Sequence, residues 1–345
     1  MMDESRMDWR AVLARVFRYL SNGVLAVYVV YWWGAVFYDG PLGQANLWNA
    51  LLACLWLAGV VVLWRRLALR WQRVLSVFGM SLLVIIPWSF IQPSNDKEWA
   101  EDFAETGTVS VDGDVITFHN FRDFDYTRDG EVTPRWVTRK VHYSKLQGLD
   151  IFHDRFLGNL MAHPILSFDF GDDGHICLSI ETRREKGETF SPFGGLYKMF
   201  ELQYIFASEE DAVRVRTNIR EEPVYLYRSA IPLEEVQQLF LSSIDVQNHL
   251  AEHPQFYNVV NANCTTSIRN QIPEDRRSPF DIRMLVNGLL DQYLYQKEAI
   301  VSEGLSFEEL RERCLIDEVA RAAHDDPQFS QRIREGRPGQ NRGAD

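Results

Sequence analysis

Cysteine is scarce in this chain: only four of the 345 residues are cysteines, and no two form a CxxC motif. Cys54 lies in an apolar run, and Cys177, Cys264 and Cys314 form an odd set without paired spacing. No group of cysteines and histidines has the spacing of zinc ligands. The sequence therefore predicts neither a disulfide framework nor a metal site, and we assume that Cys177 and Cys314 are ordinary packed cysteines.

Several motifs of nucleotide and hydrolase chemistry are missing as well. The sequence contains no Walker loop, no GxGxxG, no HExxH and no GxSxG. Basic residues are also few: 36 Lys and Arg stand against 48 Asp and Glu, a net charge of −12. The first 95 residues carry +4, so the remainder carries −16. Because nucleic acids require a basic surface, we expect no nucleic-acid partner. Since the nucleotide-binding and metal-binding motifs named above are missing, we also expect no cofactor.

Long apolar runs occur only near the N-terminus, at about 19–38, 46–64 and 74–91. Each run is near the roughly 20 residues needed to cross a bilayer. Four arginines precede the first run and four lie between the second and third, whereas the first connection has neither Lys nor Arg. The positive-inside rule then places the N-terminus in the cytoplasm and everything beyond residue 93 outside. We predict a three-helix anchor (1–93) in a bacterial inner membrane, with a periplasmic domain.

The rest of the chain alternates short strands with helices. GTVSVDGDVITFHNF predicts a hairpin that turns at Asp112-Gly113, and HPILSFDFGDDGHICLSIETR predicts a second hairpin around Gly-Asp-Asp-Gly. Helical periodicity marks PLEEVQQLFLSSIDVQNHL, FDIRMLVNGLLDQYLYQ and SFEELRERCLIDEVARAAH. We therefore predict an α+β domain over 94–339, with a mostly antiparallel sheet, a helical C-terminal extension and a disordered tail at 340–345.

One cysteine stands in an unusual setting, in the segment YNVVNANCTTSIR (257–269). Cys264 is flanked by Asn263, Thr265 and Thr266, residue types that cap helices rather than fill cores. At a helix N-terminus, a thiol faces unpaired N–H groups and the positive end of the helix dipole, which favour the nucleophilic thiolate. We predict that Cys264 is a nucleophile, with Asn263 and Thr265 beside the oxyanion or substrate.

A cysteine nucleophile needs a base and a group that orients this base. If the second hairpin turns at residues 171–174, residues whose numbers sum to about 344 or 345 face each other. His163 then lies opposite position 181 or 182, so we predict His163 as the base and Glu181 as its orienting carboxylate. His175 is an alternative orienter, but it lies at the far end of the hairpin.

The hairpin runs on into a charged segment, ETRREKGETFSP. Such a run is typical of a solvated loop. Beside a catalytic site, Arg183, Arg184 or Lys186 could instead bind a phosphate or carboxylate group of the substrate.

An ordered set of segments resembles a known bacterial family, the lipoprotein N-acyltransferase Lnb, N-terminal periplasmic domain. The segments include VDGDVITFHNFRDFDY, TPRWVTRKVHYSKLQGLDIF, AHPILSFDF, SIETRREKGETFSP and YNVVNANCTTSIR, and the resemblance runs from about residue 94 to the end. It implies a permuted papain-like (NlpC-like) fold, in which a histidine on a strand precedes a cysteine at a helix start. His163 and Cys264 occur in that order.

Two activities fit these residues. In the first, Cys264 takes an acyl group from a membrane lipid as a thioester and passes it to a lipoprotein or another envelope component. In the second, the same nucleophile acts as an NlpC-type amidase or peptidase on cell-wall peptides. An apolar groove favours the first and a polar, acidic groove the second.

Overall fold

The structure is a computed structural model that describes residues 8–43, 45–156, 158 and 160–340, without the side chain of Asp275. Apart from Gln340, the tail predicted at 340–345 lies outside the described residues. Two compact units are present. One holds the N-terminal part up to Gln92 together with Tyr197–Met199, and the other holds Pro93–Leu196 and the chain from Phe200 onward. Three apolar helices, a sheet domain and C-terminal helices confirm the predicted α+β class.

The first unit consists of α1 (Trp9–Tyr38), α2 (Leu47–Arg66) and α3 (Arg70–Ser89). All three are long and apolar enough to cross a membrane. The first helix begins ten residues before the predicted apolar run, because Asp8 caps it by accepting hydrogen bonds from the backbone of Arg10 and Ala11. The helices pack against one another, and Trp56 of α2 donates its indole N–H to the Met80 carbonyl of α3 at 2.9 Å.

The second unit is built from ten strands and seven α-helices among its described residues. The strands are β1 (Thr108–Asp112), β2 (Val115–Arg122), β3 (Asp125–Tyr126), β4 (Val132–Thr133), β5 (Trp136–His142), β6 (Gly148–Arg155), β7 (Ala162–Asp169), β8 (His175–Arg183), β9 (Glu201–Ala207) and β10 (Val224–Arg228). The helices are α4 (Glu209–Ala212), α5 (Leu233–Glu252), α6 (Cys264–Gln271), α7 (Leu290–Gln296), α8 (Phe307–Cys314), α9 (Asp317–Ala322) and α10 (Phe329–Arg332). A π-helical turn at Val215–Ile219 follows α4.

The predicted helix over FDIRMLVNGLLDQYLYQ forms only in its second half, as α7. Before it, the chain makes 3₁₀ turns at Ile282–Met284 and Asn287–Leu289. Asp281 caps the first of these turns by accepting a hydrogen bond from the backbone of Arg283, and Gly288 weakens helix formation locally.

Eight strands form the main sheet in the order β1-β2-β9-β8-β7-β6-β10, with β5 also paired to β2. The pairings are antiparallel except between β2 and β9, which meet in parallel at Arg122 and Ala207. The sheet is therefore mixed rather than purely antiparallel. This pairing joins strands almost 80 residues apart in sequence, so no local turn could reveal it.

Both faces of the sheet are buried. On one face, Phe118, Phe168 and Phe206 surround Phe240 of α5. On the other face, a second apolar cluster includes Phe152 of β6 and Phe329 of α10. A sheet covered on both sides is rigid, so side chains at its ends are held in defined positions.

The hairpin of β7 and β8 has the predicted register. It turns through Gly171–Asp173, and its paired residues run from Leu166 opposite Leu178 to Asp169 opposite His175, so the numbers of each pair sum to 344. Extending this register to the open end of the hairpin places His163 opposite Glu181.

Candidate active site

Cys264 is the first residue of α6, as its flanking residues predict. Asn263 is the N-cap: its side chain accepts the backbone N–H of Thr266 at 2.8 Å, and the Thr266 hydroxyl accepts the backbone N–H of Asn263 at 3.0 Å. This reciprocal pair fixes where the helix begins. The buried Cys264 is thereby placed at the positive end of the helix dipole.

The open end of the hairpin brings a histidine, a serine and a glutamate together. His163 Nε2 lies 2.7 Å from the Ser179 hydroxyl and 3.3 Å from Glu181 Oε1. Ser179 donates its own proton to Glu181 Oε1 at 2.6 Å, so its oxygen accepts the hydrogen bond from His163. Ser179 and Glu181 share a face of β8 because they are two residues apart. With Nε2 occupied in this way, Nδ1 is the nitrogen that remains for the Cys264 thiol.

The histidine belongs to a row of polar residues that crosses the sheet. Asp154 of β6 is paired directly with His163, and on the other side Glu181 is paired with Gln203 of β9. Arg216, from the π-helical turn, spans the row: its Nε lies 3.0 Å from Asp154 Oδ2 and its Nη2 lies 2.9 Å from Glu181 Oε1. The buried guanidinium therefore fixes the carboxylates on either side of the imidazole.

These neighbours change the protonation of the pair. Burial by itself lowers the pKa of His163, but the Glu181 carboxylate and hydrogen bonding to the Cys264 thiol outweigh it and raise that pKa to about 10. Burial opposes ionisation of Glu181, yet His163 and Arg216 hold the pKa of Glu181 well below its ordinary value. At neutral pH the imidazole is therefore protonated beside an ionised carboxylate, and an imidazolium is a partner that stabilises a cysteine thiolate.

Asn287 completes the surroundings of the sulfur. This buried residue begins the 3₁₀ turn before α7, and its side-chain Nδ2 donates to Cys264 Sγ at 3.5 Å. Its Oδ1 accepts the backbone N–H of Ala162, the neighbour of His163, at 2.9 Å. One side chain thus connects the cysteine helix to the histidine strand.

A cavity of about 560 Å³ opens beside these groups, a volume within the usual range for small-molecule sites. Its walls include Cys264, His163 and Glu181. The lining also includes apolar side chains, among them Phe156, Met161, Phe190 and Tyr257. It further includes charged side chains, among them Glu101, Asp102, Asp154, Arg184, Arg216, Arg220 and Glu222. Within the described part of the chain, no group of His, Cys, Asp and Glu is arranged to hold a metal ion.

The capping residues are engaged within the helix start. The Asn263 side chain accepts from Thr266 and donates from Nδ2 to the Val259 carbonyl at 2.6 Å, so both of its polar atoms have partners at the helix start. The Thr265 hydroxyl is buried, lies 3.9 Å from Cys264 Sγ and is not part of the cavity lining. The backbone at the helix start remains the source of N–H donors.

Of the three cations that the sequence suggested as substrate contacts, Arg183 and Lys186 lie outside the cavity lining. Arg183 is buried: it donates to the carbonyls of Phe103 and Ala104 and to Asn95 Oδ1 (2.9 Å), and its guanidinium stacks over Trp99. Its donors serve the interior and it is not part of the cavity lining, so the structure gives no support to the predicted substrate contact.

Lys186 is exposed in the loop after β8 and outside the cavity lining, so the solvated-loop interpretation fits it. The arginine of this segment that does reach the cavity is Arg184, which also donates to Asp102 at 3.1 Å.

Three neighbours of the site were not predicted from the sequence: Ser179, Arg216 and Asn287. Ser179 carried a usable signal, because strand alternation places it on the same face as Glu181. Arg216 gave only a weak signal, because it is a cation among residues that are mostly buried. Asn287 carried none, because it lies in a stretch that reads as an ordinary amphipathic helix.

Comparison with known proteins bears on this geometry. Residues 132–288 match the family described as the Lnb N-terminal periplasmic domain. This segment belongs to the Lnb N-terminal periplasmic domain family. It contains Cys264, His163, Glu181 and Asn287, whereas β1, β2 and the helices after α6 lie outside the match. No curated protein and no solved structure matches the chain.

Membership agrees with the three apolar helices. An Lnb-type periplasmic domain on a chain with three candidate membrane spans fits a protein of the inner membrane.

Proposed function

We propose that this chain is a membrane-anchored periplasmic acyltransferase that carries the acyl group as a thioester on Cys264. One observation carries the proposal: Cys264, which is far along the chain from the hairpin of His163 and Glu181, meets both residues at the wall of one cavity. A nucleophile, a proton carrier and an orienting carboxylate are the parts that covalent acyl transfer requires. The family supports the setting, a role in lipoprotein processing in the periplasm.

The reaction follows from the protonation of the pair. The Cys264 thiolate attacks the ester carbonyl of a lipid, forming a C–S bond while the carbonyl electrons move to oxygen. Collapse of this intermediate breaks the ester C–O bond, and the leaving alkoxide takes the proton held by His163. An acceptor amine or hydroxyl then gives its proton to His163 and attacks the thioester, which restores the thiolate. Glu181 and Arg216 hold the imidazole in place throughout.

A lipid donor suits both the cavity and the anchor. Phe156 and Phe190 meet edge to face, with ring centroids 6.0 Å apart, and with Met161 and Tyr257 they give the cavity an apolar portion for an acyl chain. A domain tethered to the bilayer meets membrane lipids at a high effective concentration. We therefore take a membrane lipid as the donor and a lipoprotein or other envelope component as the acceptor.

The anchor also sets the orientation in this proposal. The arginines that precede the first apolar run and those that join the second run to the third favour a cytoplasmic N-terminus and a periplasmic sheet domain. No cofactor takes part in the reaction.

A second activity, a papain- or NlpC-like amidase or peptidase, is favoured by the charged part of the cavity. Glu101, Asp102, Arg184, Arg220 and Glu222 all line it, and such groups suit a polar peptide better than an acyl chain. The His-then-Cys order and the catalytic chemistry would be the same, so the substrate decides between the two activities.

The deciding experiment is mass spectrometry of the Cys264 peptide after the full chain has been incubated with phosphatidylethanolamine vesicles. We expect a fatty-acyl mass on this peptide that neutral hydroxylamine removes, because thioesters are labile to it. Cys264→Ser should lack this hydroxylamine-labile mass, and His163→Asn should accumulate it far more slowly than the wild type.

Two results would contradict the proposal. One is a Cys264 peptide that stays unmodified in the presence of phospholipid. The other is an acyl mass that accumulates in His163→Asn as fast as in the wild type. Cleavage of cell-wall peptides by the same preparation, lost in Cys264→Ser, would establish the amidase instead.

A further inference from the structure

Asn287 is held by three contacts that fix its side chain beside the cysteine. Its backbone carbonyl accepts a hydrogen bond from His153 Nε2 at 3.0 Å, and its Oδ1 accepts one from the backbone of Ala162 at 2.9 Å. Its Nδ2 lies 3.5 Å from Cys264 Sγ. The residue is buried and lines the cavity. These contacts with the protein account for the position of the side chain.

The orientation of this amide follows from its partners. A backbone N–H can only donate, so Ala162 must face the oxygen of the Asn287 side chain. The nitrogen therefore faces the sulfur of Cys264. The reverse orientation would set two donors against each other at Ala162. Asn287 thus presents a neutral, fixed N–H donor to the nucleophile.

We propose that Asn287 is a catalytic residue that donates a hydrogen bond to the Cys264 thiolate and then to the oxygen of the attacked carbonyl. The role in the second step rests on the proposed function. When Sγ bonds to the carbonyl carbon, the developing oxyanion is attached to that same carbon. A donor already in contact with the sulfur is therefore within reach of the oxyanion, where charge appears only during the reaction.

The start of α6 offers a second donor for the same oxygen. The backbone N–H of Cys264 is in the first turn of the helix and has no acceptor among the described residues. Together with Asn287, it forms a pair of preorganised donors. Asn263, which the sequence suggested for this role, is occupied as the helix cap.

The test uses the full chain in detergent micelles with para-nitrophenyl butyrate, whose burst of nitrophenol measures acylation of Cys264. The informative variant is Asn287→Asp, which keeps an oxygen for Ala162 but replaces the donor. We expect Asn287→Asp and Asn287→Ala to acylate roughly 10²-fold more slowly than the wild type, the usual loss for one oxyanion donor. Asn261→Ala is the matched control, because that side chain is exposed on the loop before the helix.

A second measurement needs no acyl substrate. The rate of Cys264 alkylation by iodoacetamide, followed against pH, reports the thiolate directly. Loss of the donor should slow alkylation at neutral pH by roughly tenfold, and Asn261→Ala should leave the rate unchanged. Thermal melting shows whether each variant is folded.

The outcomes separate the two proposals. Folded Asn287 variants that acylate within about threefold of the wild type overturn the oxyanion role. If the wild type forms no acyl-enzyme at all, the proposed function fails and the oxyanion role fails with it. The alkylation rate still decides, in that case, whether Asn287 donates to the thiolate: an unchanged rate in both variants overturns that contact as well.

Discussion

The hairpin of β7 and β8 carries a histidine–carboxylate pair at each of its two ends. At the open end, His163 Nε2 lies 3.3 Å from Glu181 Oε1. At the turn, His175 Nε2 lies 3.8 Å from Asp169 Oδ1. The same antiparallel register creates both pairs. By sequence alone, either histidine could serve a nucleophile.

Each end also has a buried arginine that joins two carboxylates. Arg216 joins Asp154 to Glu181, and Arg228 contacts Asp150 and Asp169 at 3.1 and 3.2 Å. What differs is the neighbourhood. The open end adjoins Cys264 and the cavity, whereas neither His175 nor Asp169 at the turn end lines that cavity.

The C-terminal segment fills the space near the turn end. Arg334 reaches Asp150 at 2.9 Å, and Gln340 donates to the same carboxylate at 2.8 Å. Charges at this end therefore satisfy one another. A histidine–carboxylate pair is therefore a candidate site only where a nucleophile and an accessible cavity lie next to it.

The largest expected effect comes from removing the nucleophile or its histidine. Cys264→Ala should abolish acyl-enzyme formation, and His163→Asn should slow it by on the order of 10³-fold. His175→Asn, at the other end of the hairpin, should leave the rate within about threefold of the wild type. The burst with para-nitrophenyl butyrate measures all three. Equal losses in the two histidine variants would show that the ends are not functionally different.

The orienting carboxylate should have the next largest effect. Glu181→Gln should slow acylation by roughly 10²-fold, because the imidazolium loses its ionised partner. Since Glu181 raises the pKa of His163 to about 10, this variant should also move the basic limb of the pH–rate profile to lower pH. Asp169→Asn is the matched control and should keep the wild-type limb. A Glu181→Gln profile that coincides with the wild type would contradict the orienting role.

Replacing either bridging arginine should destabilise the fold, but only one replacement should change the chemistry. Arg216→Met removes the buried cation between Asp154 and Glu181, which costs about 3–5 kcal/mol in the free energy of unfolding. Arg228→Met should cost less, because Asp150 keeps its contact with Arg334. Chemical denaturation measures this loss. Among variants that remain folded, only Arg216→Met should alter the pH–rate profile.

An exposed pair provides the control for the arginine variants. Arg128 pairs with Asp325 at the surface, so Arg128→Ala should leave the unfolding midpoint unchanged. A loss in Arg128→Ala as large as that in Arg216→Met would show that burial does not decide the effect.

The last prediction concerns a pH-dependent contribution of His163 to stability. Because its pKa in the folded state is raised, this contribution is full below the unfolded value of about 6.5. It is lost as pH rises toward the folded value of about 10. The difference in unfolding free energy between wild type and His163→Asn should shrink across that window. In the Glu181→Gln background, the same difference should vanish at lower pH; an unshifted window would contradict the coupling.

Much of the site could be predicted because its geometry is local. Asn263 and Thr266 determine where α6 begins, and they are three residues apart. The Gly171–Gly174 turn determines the hairpin register, which alone brings His163 opposite Glu181. Both features depend on hydrogen bonds between residues that are close together in the chain, so a single sequence is enough to predict them.

The remaining neighbours could not be predicted for the same physical reason. Arg183 and Arg184 are adjacent in one charged run, yet the first is buried against backbone carbonyls and the second lines the cavity. Strand alternation alone separates them, and which face of the strand meets the cavity depends on the packed layers on either side.

By itself, the sequence determined the three apolar spans, the α+β class, the capped cysteine and the hairpin pair, because each is specified by residues close together in the chain. Only the tertiary structure decided that Arg216 would join Asp154 to Glu181 and that Asn287 would face Cys264. It also decided the parallel pairing of β2 with β9. These contacts join distant segments, and they form only because packing both faces of the sheet leaves each buried polar group with the partners that the layers bring to it.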